Sequence, residues 1–99
     1  MNFGLTDSEI MSIQKILAGF SEVREARIYG SRALGTHRVN SDIDLVVYGE
    51  IDRKILGQIM GALDELELPY LFDVTVYSHI SHLPFKEHID GVSKPFPLF

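Results

Sequence analysis

Two apolar segments separated by one amphipathic helix restrict what this chain can fold into. Residues 43–48 form an almost continuous apolar run, which is typical of a strand that is buried on both faces. Residues 51–66 repeat apolar side chains at helical spacing, and residues 71–77 alternate apolar and polar side chains as a second strand does. A helix of this length can act as a right-handed crossover between two neighbouring strands, which predicts that they are parallel.

The residues before this unit predict one more helix and one more strand. Residues 6–20 open with a Thr-x-x-Glu sequence and then place apolar side chains at helical spacing, which predicts an amphipathic helix. Residues 23–29 are predicted to form a strand that stops at Gly30, and residues 31–41 a polar loop that can include one helical turn. The predicted fold class is therefore α/β (α+β), with three core strands in a mixed β-sheet flanked by helices.

The size and charge of the chain exclude several kinds of protein. With 99 residues, of which 45% are hydrophobic, residues 1–99 can bury one core and are predicted to form a single domain. A formal net charge of −5 disfavours non-specific binding to DNA or to anionic membranes, because such binding depends on an excess of Lys and Arg. Cysteine is absent, and no apolar run approaches the roughly 20 residues that span a bilayer. A cytoplasmic location is expected.

Three acidic residues carry the chemistry that the sequence predicts. Asp42 and Asp44 are two residues apart at the start of a strand, so their carboxylates point to the same face of the sheet. Two carboxylates held this close disfavour joint ionisation unless a divalent cation supplies the opposing charge. Ligand sets that contain only oxygen suit Mg²⁺ or Mn²⁺. Asp73, early in the strand of residues 71–77, is predicted to join them if that strand is parallel to its neighbour.

Gly30 and Ser31 are predicted to bind phosphate. Gly30 follows the end of the first strand, whereas Asp42 precedes the second, so the two sites meet only if these strands are antiparallel. Glycine leaves the backbone bare, which lets amide groups and the Ser31 hydroxyl approach an anion closely. Arg32 is predicted as a further contact to triphosphate oxygens, with a solvated loop cation as the alternative. The sequence thus predicts a phosphate site facing a carboxylate–metal centre.

The combined motif, Gly30-Ser31, ten residues, Asp42-Ile43-Asp44, and then Asp73, resembles that of the minimal nucleotidyltransferases of the DNA polymerase β superfamily. The resemblance covers roughly residues 26–77. It implies an enzyme that transfers a nucleoside monophosphate, AMP from ATP, onto an acceptor hydroxyl by a two-metal mechanism. It also implies that Asp42 and Asp44 ligate two metal ions, and that Asp73 ligates one and helps to deprotonate the acceptor.

Within that superfamily the chain is most similar to two-component members that pair with a small helical HEPN-type protein, often as a toxin–antitoxin system. This resemblance implies a hetero-oligomer in which the partner completes the site. An alternative is a binding module that neutralises a helical partner without turnover. A second alternative is a nucleotide sensor that binds a triphosphate without releasing pyrophosphate. A pyrophosphate assay separates these three hypotheses.

The end of the chain carries an apolar group whose placement the sequence leaves open. Phe96, Leu98 and Phe99 lie in a proline-rich segment that either packs back on the sheet or presents an apolar patch to a partner. The shortness of the chain favours the patch. His79, His82 and His88 lack the spacing of a zinc site and are interpreted as surface or interface residues.

Overall fold

A mixed four-stranded sheet, with helices against both of its faces, organises the protein. The computed structural model describes residues 2–98. The elements in chain order are α1 (Asp7–Ala18), β1 (Glu25–Tyr29), α2 (Ser31–Leu34), β2 (Ile43–Tyr48), α3 (Arg53–Asp64), β3 (Phe72–Val76), a 3-10 turn (Tyr77–His79), α4 (Leu83–Val92) and β4 (Lys94–Pro95). None of the helices within residues 2–98 is long and apolar enough to cross a membrane.

The structure confirms both strand orientations that the sequence predicts. The strand order is β3-β2-β1-β4, in which β2 pairs antiparallel with β1 and parallel with β3. Helix α3 makes the crossover between β2 and β3. The end of β1 therefore lies at the same edge of the sheet as the starts of β2 and β3, which gathers Gly30 and the predicted carboxylates at one place.

The two faces of the sheet bury different clusters of side chains. Alternate strand residues such as Ile28, Leu45 and Val74 are buried against α1 and α3 in the larger core. The opposite face buries Val46 against Ile89 of α4, in a smaller cluster. This second face is the one that carries the acidic residues, since side chains alternate along a strand and Asp44 is two positions from Val46.

Helix α1 begins with a reciprocal pair of hydrogen bonds. The Glu9 amide donates to the Thr6 hydroxyl at 3.1 Å, and the Thr6 amide donates to the Glu9 carboxylate at 2.9 Å. These bonds satisfy two of the backbone donors that the first turn leaves unpaired. The backbone contact with Thr6 is the main reason that the pKa of Glu9 is lowered.

We expect Thr6→Ala to lower the free energy of unfolding by about 1 kcal/mol, because it removes the cap of α1. Chemical denaturation of the full chain measures this directly. Ser12→Ala, which removes only a side-chain bond to the Ser8 carbonyl within the same helix, serves as the control and should change the free energy by less than about 0.5 kcal/mol. Equal midpoints for Thr6→Ala and the wild type would contradict the assigned cap.

The C-terminal segment packs back on the sheet, so the favoured prediction of an exposed apolar patch is wrong for Phe96 and Leu98. Strand β4 pairs antiparallel with β1, and the Phe96 amide donates to the Ala26 carbonyl at 2.9 Å. The Phe96 side chain is 1% exposed and stacks on Phe3, while Leu98 is half-buried against the larger core. Pairing covers the free edge of β1, which is the physical reason for the return. Phe99 lies outside the described residues.

Candidate active site

The register of the sheet places two of the predicted carboxylates side by side. Asp44 of β2 and Asp73 of β3 are direct partners in the parallel pairing, and such partners project from the same face. Asp42 lies two residues before Asp44, immediately ahead of β2. Asp42 and Asp73 are exposed, whereas Asp44 is half-buried. We refer to Asp42, Asp44 and Asp73 together as the acidic cluster.

In the part of the chain that the structure describes, no ion pair offsets the repulsion within the acidic cluster. Burial raises the pKa of Asp44 above its usual value, and the charges of Asp73 and Asp42 raise it further. Within residues 2–98 the one ion pair joins Arg27 to Glu25, and it does not involve the cluster. The arrangement therefore concentrates negative charge in a region that a cation would stabilise.

The ligand set of the acidic cluster fits Mg²⁺ or Mn²⁺ better than a metal that needs a closed protein cage. Among the described residues no three His, Asp or Glu side chains lie close enough together to hold a metal ion by themselves, and this includes the three members of the acidic cluster. Mg²⁺ usually keeps several waters and binds through one or two carboxylates together with substrate phosphates. Adjacent carboxylates on an open face, such as those of Asp44 and Asp73, match this mode of binding.

Gly30 brings bare backbone directly against the acidic cluster. Its φ of +74° and ψ of −157° lie in a region that essentially only glycine occupies. A Cβ atom at this position would overlap the Asp44 carboxylate, with Oδ2 as the nearest atom. Gly30 precedes the short helix α2, which begins at the half-buried Ser31. A ligand held at the Asp44 carboxylate therefore lies next to the backbone of Gly30 and Ser31.

Arg32 does not have the free guanidinium that the predicted phosphate contact requires. The side chain is 1% exposed, and its nitrogens donate to the carbonyls of Phe3 at 2.8 Å and Ser41 at 2.9 and 3.1 Å. A weaker contact reaches the Val39 carbonyl at 3.4 Å. Because these bonds turn the charge away from solvent, the alternative of a solvated loop cation is also wrong. Arg32 is a buried residue that ties the loop to its surroundings.

Two residues that the sequence reasoning missed form the floor beside the acidic cluster. Tyr29 pairs with Asp44 across the antiparallel strands, and its hydroxyl lies 3.4 Å from the Thr75 hydroxyl on β3. Burial raises the pKa of Tyr29, and the nearby charges of Asp73 and Asp44 raise it further. The phenol is thus neutral next to the carboxylates. The available signal was the antiparallel orientation of β1 and β2, which brings the end of β1, where Tyr29 lies, next to the start of β2, where Asp44 lies.

Solved structures with the same fold include two toxin–antitoxin crystal structures. One contains AMP-PNP and superposes with a TM-score of 0.71 at 19% identity, covering 94% of this chain and 73% of that one. The other is a mutant of the MntA–HpeT pair, with a TM-score of 0.68 at 17% identity and the same coverage. A protein from Sulfolobus solfataricus described as a nucleotidyltransferase gives 0.55 at 18% identity, covering 89% of this chain and 76% of that one. At these identities the comparisons establish the fold.

The sequence itself matches a family model over most of its length. Residues 11–95 match the family described as Polymerase beta, Nucleotidyltransferase. No functionally curated protein gives a significant match. The matched region contains the whole sheet, the acidic cluster and the Gly30–Ser31 backbone. This chain therefore belongs to the polymerase beta nucleotidyltransferase family, whose members are nucleotidyl-transferring enzymes.

Proposed function

We propose that this protein transfers AMP from ATP to an acceptor hydroxyl, at a centre that the acidic cluster forms with Mg²⁺ or Mn²⁺. The observation that carries the proposal is the pairing of Asp44 with Asp73 on one face of the sheet, against the bare backbone of Gly30. Uncompensated charge at this point supports binding of a cation. Open backbone next to it supports binding of a triphosphate.

Each residue of the centre has an assigned part in the reaction. Asp42 and Asp44 would hold the divalent cations, whose chemical contribution is to stabilise the charge on the attacking and leaving oxygens. The backbone of Gly30 and the Ser31 hydroxyl donate to triphosphate oxygens. Asp73 helps to bind the cations and accepts the proton of the acceptor hydroxyl. The acceptor oxygen bonds to the α-phosphorus as the bond from that phosphorus to the bridging oxygen breaks, and pyrophosphate leaves.

The smaller apolar cluster supports this centre from below. Tyr29 lies beside Asp44 across the β1–β2 pair, and its neutral phenol makes an edge-to-face contact with Phe85 of α4, at 5.8 Å between ring centroids. Tyr29 is buried, and a charge buried against such apolar side chains without partners would be costly. This packing favours cation binding at the surface of the sheet.

The proposal includes a protein partner. Both toxin–antitoxin structures share this fold over 94% of the chain, which supports a role as one member of such a pair. We propose a small helical HEPN-type protein as the partner in a cytoplasmic hetero-oligomer, and a hydroxyl of that partner as an acceptor. The AMP-PNP in one of those structures supports ATP as the donor.

The test is pyrophosphate release by the full chain with Mn²⁺ and α-labelled ATP, with and without the co-expressed helical partner. We expect release together with labelling of a hydroxyl, and a decrease of about 10²- to 10⁴-fold in Asp73→Asn, because proton acceptance is lost. Asp64→Asn, at the exposed end of α3, is the matched control and should retain the wild-type rate. Triphosphate binding without pyrophosphate release under any of these conditions would contradict the proposal and favour a binding module.

A further inference from the structure

Arg32 lies where three segments around the acidic cluster meet. Its Nη1 donates to the Phe3 carbonyl of the N-terminal segment at 2.8 Å, and its Nε and Nη2 both donate to the Ser41 carbonyl. The guanidinium carbon lies 4.7 Å from the centre of the Tyr70 ring. The buried cation therefore connects the N-terminal segment, the loop before β2 and the segment before β3.

The contact with Ser41 fixes the peptide that leads into Asp42. Two nitrogens of one guanidinium hold the Ser41 carbonyl, which defines its direction as well as its position. The same residue closes a turn with Arg38, whose amide donates to the Ser41 hydroxyl at 2.7 Å, while the Ser41 amide donates back to the Arg38 carbonyl at 3.1 Å. Asp42 is exposed and directly follows Ser41, so these bonds fix the backbone from which the Asp42 side chain projects.

The contact with Tyr70 links the same cation to the entry of β3. Tyr70 lies three residues before Asp73, and the next residue, Leu71, accepts a hydrogen bond from the Ile43 amide at 2.9 Å. Ahead of the parallel pairing of β2 with β3, the segments that lead into these strands are thus joined by this backbone bond and through Arg32. A shift of the guanidinium would therefore act on the segment before Asp42 and on the segment before Asp73.

Burial of a cation such as Arg32 costs free energy unless its contacts offset the lost hydration. Arg32 forms no ion pair with a carboxylate of residues 2–98, so carbonyl dipoles, the Tyr70 ring and the more distant charge of Glu9 must offset the loss of hydration. A lysine has the same charge but cannot hold two segments at fixed directions, because it lacks the planar fork. The buried arginine is therefore explained by the segments whose relative positions its planar guanidinium fixes.

We propose that Arg32 is a positioning residue that sets the separation of Asp42 from Asp73 for binding of the divalent cation. This inference rests on the proposed function. Arg32 would act through the acidic cluster and would not contact the nucleotide. Loss of Arg32 should therefore weaken binding of the cation and leave binding of ATP unchanged. Loss of a direct phosphate contact would instead weaken binding of ATP and leave binding of the cation unchanged.

The test compares Arg32→Lys with the wild-type full chain. Calorimetric titration with Mn²⁺ alone should show binding weakened about 10- to 100-fold, as is typical when a residue that orients metal ligands is replaced. The KM for ATP at saturating Mn²⁺ should stay near the wild-type value. Arg53→Lys, at the exposed start of α3, is the matched control and should leave both quantities unchanged.

A second variant keeps the inference testable if Arg32→Lys unfolds. Tyr70→Leu removes the ring beneath the guanidinium but keeps apolar bulk, and it should weaken Mn²⁺ binding in the same direction by a smaller factor. Wild-type Mn²⁺ affinity in both folded variants, or a raised KM for ATP with unchanged Mn²⁺ affinity, overturns the role of Arg32 alone. A wild-type chain that neither binds Mn²⁺ nor releases pyrophosphate overturns the proposed function, and the inference with it.

Discussion

Asp44→Asn is expected to lower nucleotidyl transfer by about 10³-fold or more and to raise the thermal stability of the metal-free protein. The loss follows because Asp44 would supply a cation ligand, and stabilisation of transition-state charge by such a cation is worth several kcal/mol. The gain in stability follows because the variant removes a partly buried charge that Asp73 and Asp42 repel. Activity and unfolding temperature, measured on the same preparations, test both halves. A single-site variant that is both inactive and more stable is distinctive of a charged functional site.

The stability difference should depend on pH in one direction. The pKa of Asp44 is raised in the folded protein, first by burial and then by Asp73 and Asp42, so the folded state binds this proton more tightly than the unfolded chain does. The penalty is therefore absent well below the ordinary carboxyl value of 3.8, and it develops as the pH rises through the raised pKa. Unfolding temperatures of wild type and variant should converge in acid and separate towards neutral pH. A difference that is constant with pH would show that charge is not its cause.

Gly30→Ala is expected to lower activity by about 10²-fold or more, which is the effect of moving a catalytic group by roughly 1 Å. The added Cβ overlaps the Asp44 carboxylate, which must move away from its pairing with Asp73. The backbone conformation adds strain of about 1–3 kcal/mol, because φ is +74° with an extended ψ. Initial rates well below the unfolding temperature, at saturating Mn²⁺, measure the catalytic part of the effect.

Gly35→Ala separates strain from the overlap. Gly35 ends α2 with a φ of +77°, but a Cβ there meets no atom within 4 Å. The control should lose about 1–2 kcal/mol of stability, because a left-handed residue that is not glycine is strained, and it should keep the wild-type rate. Equal loss of activity in the Gly30 and Gly35 variants would show that general destabilisation, and not contact with Asp44, explains the effect.

The orientation of the strands was predictable because it follows from local patterns. The helical stripe of residues 51–66 requires a crossover, and the positions of Gly30 and Asp42 at opposite strand ends require an antiparallel pair. The placement of Asp73 near Asp42 and Asp44 follows from these orientations, whereas the direct pairing of Asp73 with Asp44 is a matter of register that the structure supplies. This part of the candidate site thus depends on the order and type of the elements, which local patterns predict.

The surroundings of the site were not predictable from the same patterns. The direction of Arg32 is decided by carbonyls and a ring from Phe3, Ser41 and Tyr70, which are distant in sequence from one another. A loop arginine after a glycine has the same local pattern whether it turns inward or outward. The return of Phe96 likewise depends on the free edge of β1, and prolines in the tail concealed the two-residue strand β4.

The most direct test of the acidic cluster as one cation and triphosphate site is anomalous diffraction from crystals of the full chain grown with Mn²⁺ and a non-hydrolysable ATP analogue. The proposal predicts manganese within bonding distance of carboxylates of the acidic cluster, Asp44 among them, with triphosphate density against the backbone of Gly30 and Ser31. Manganese bound elsewhere, or a triphosphate held away from that backbone, would contradict it.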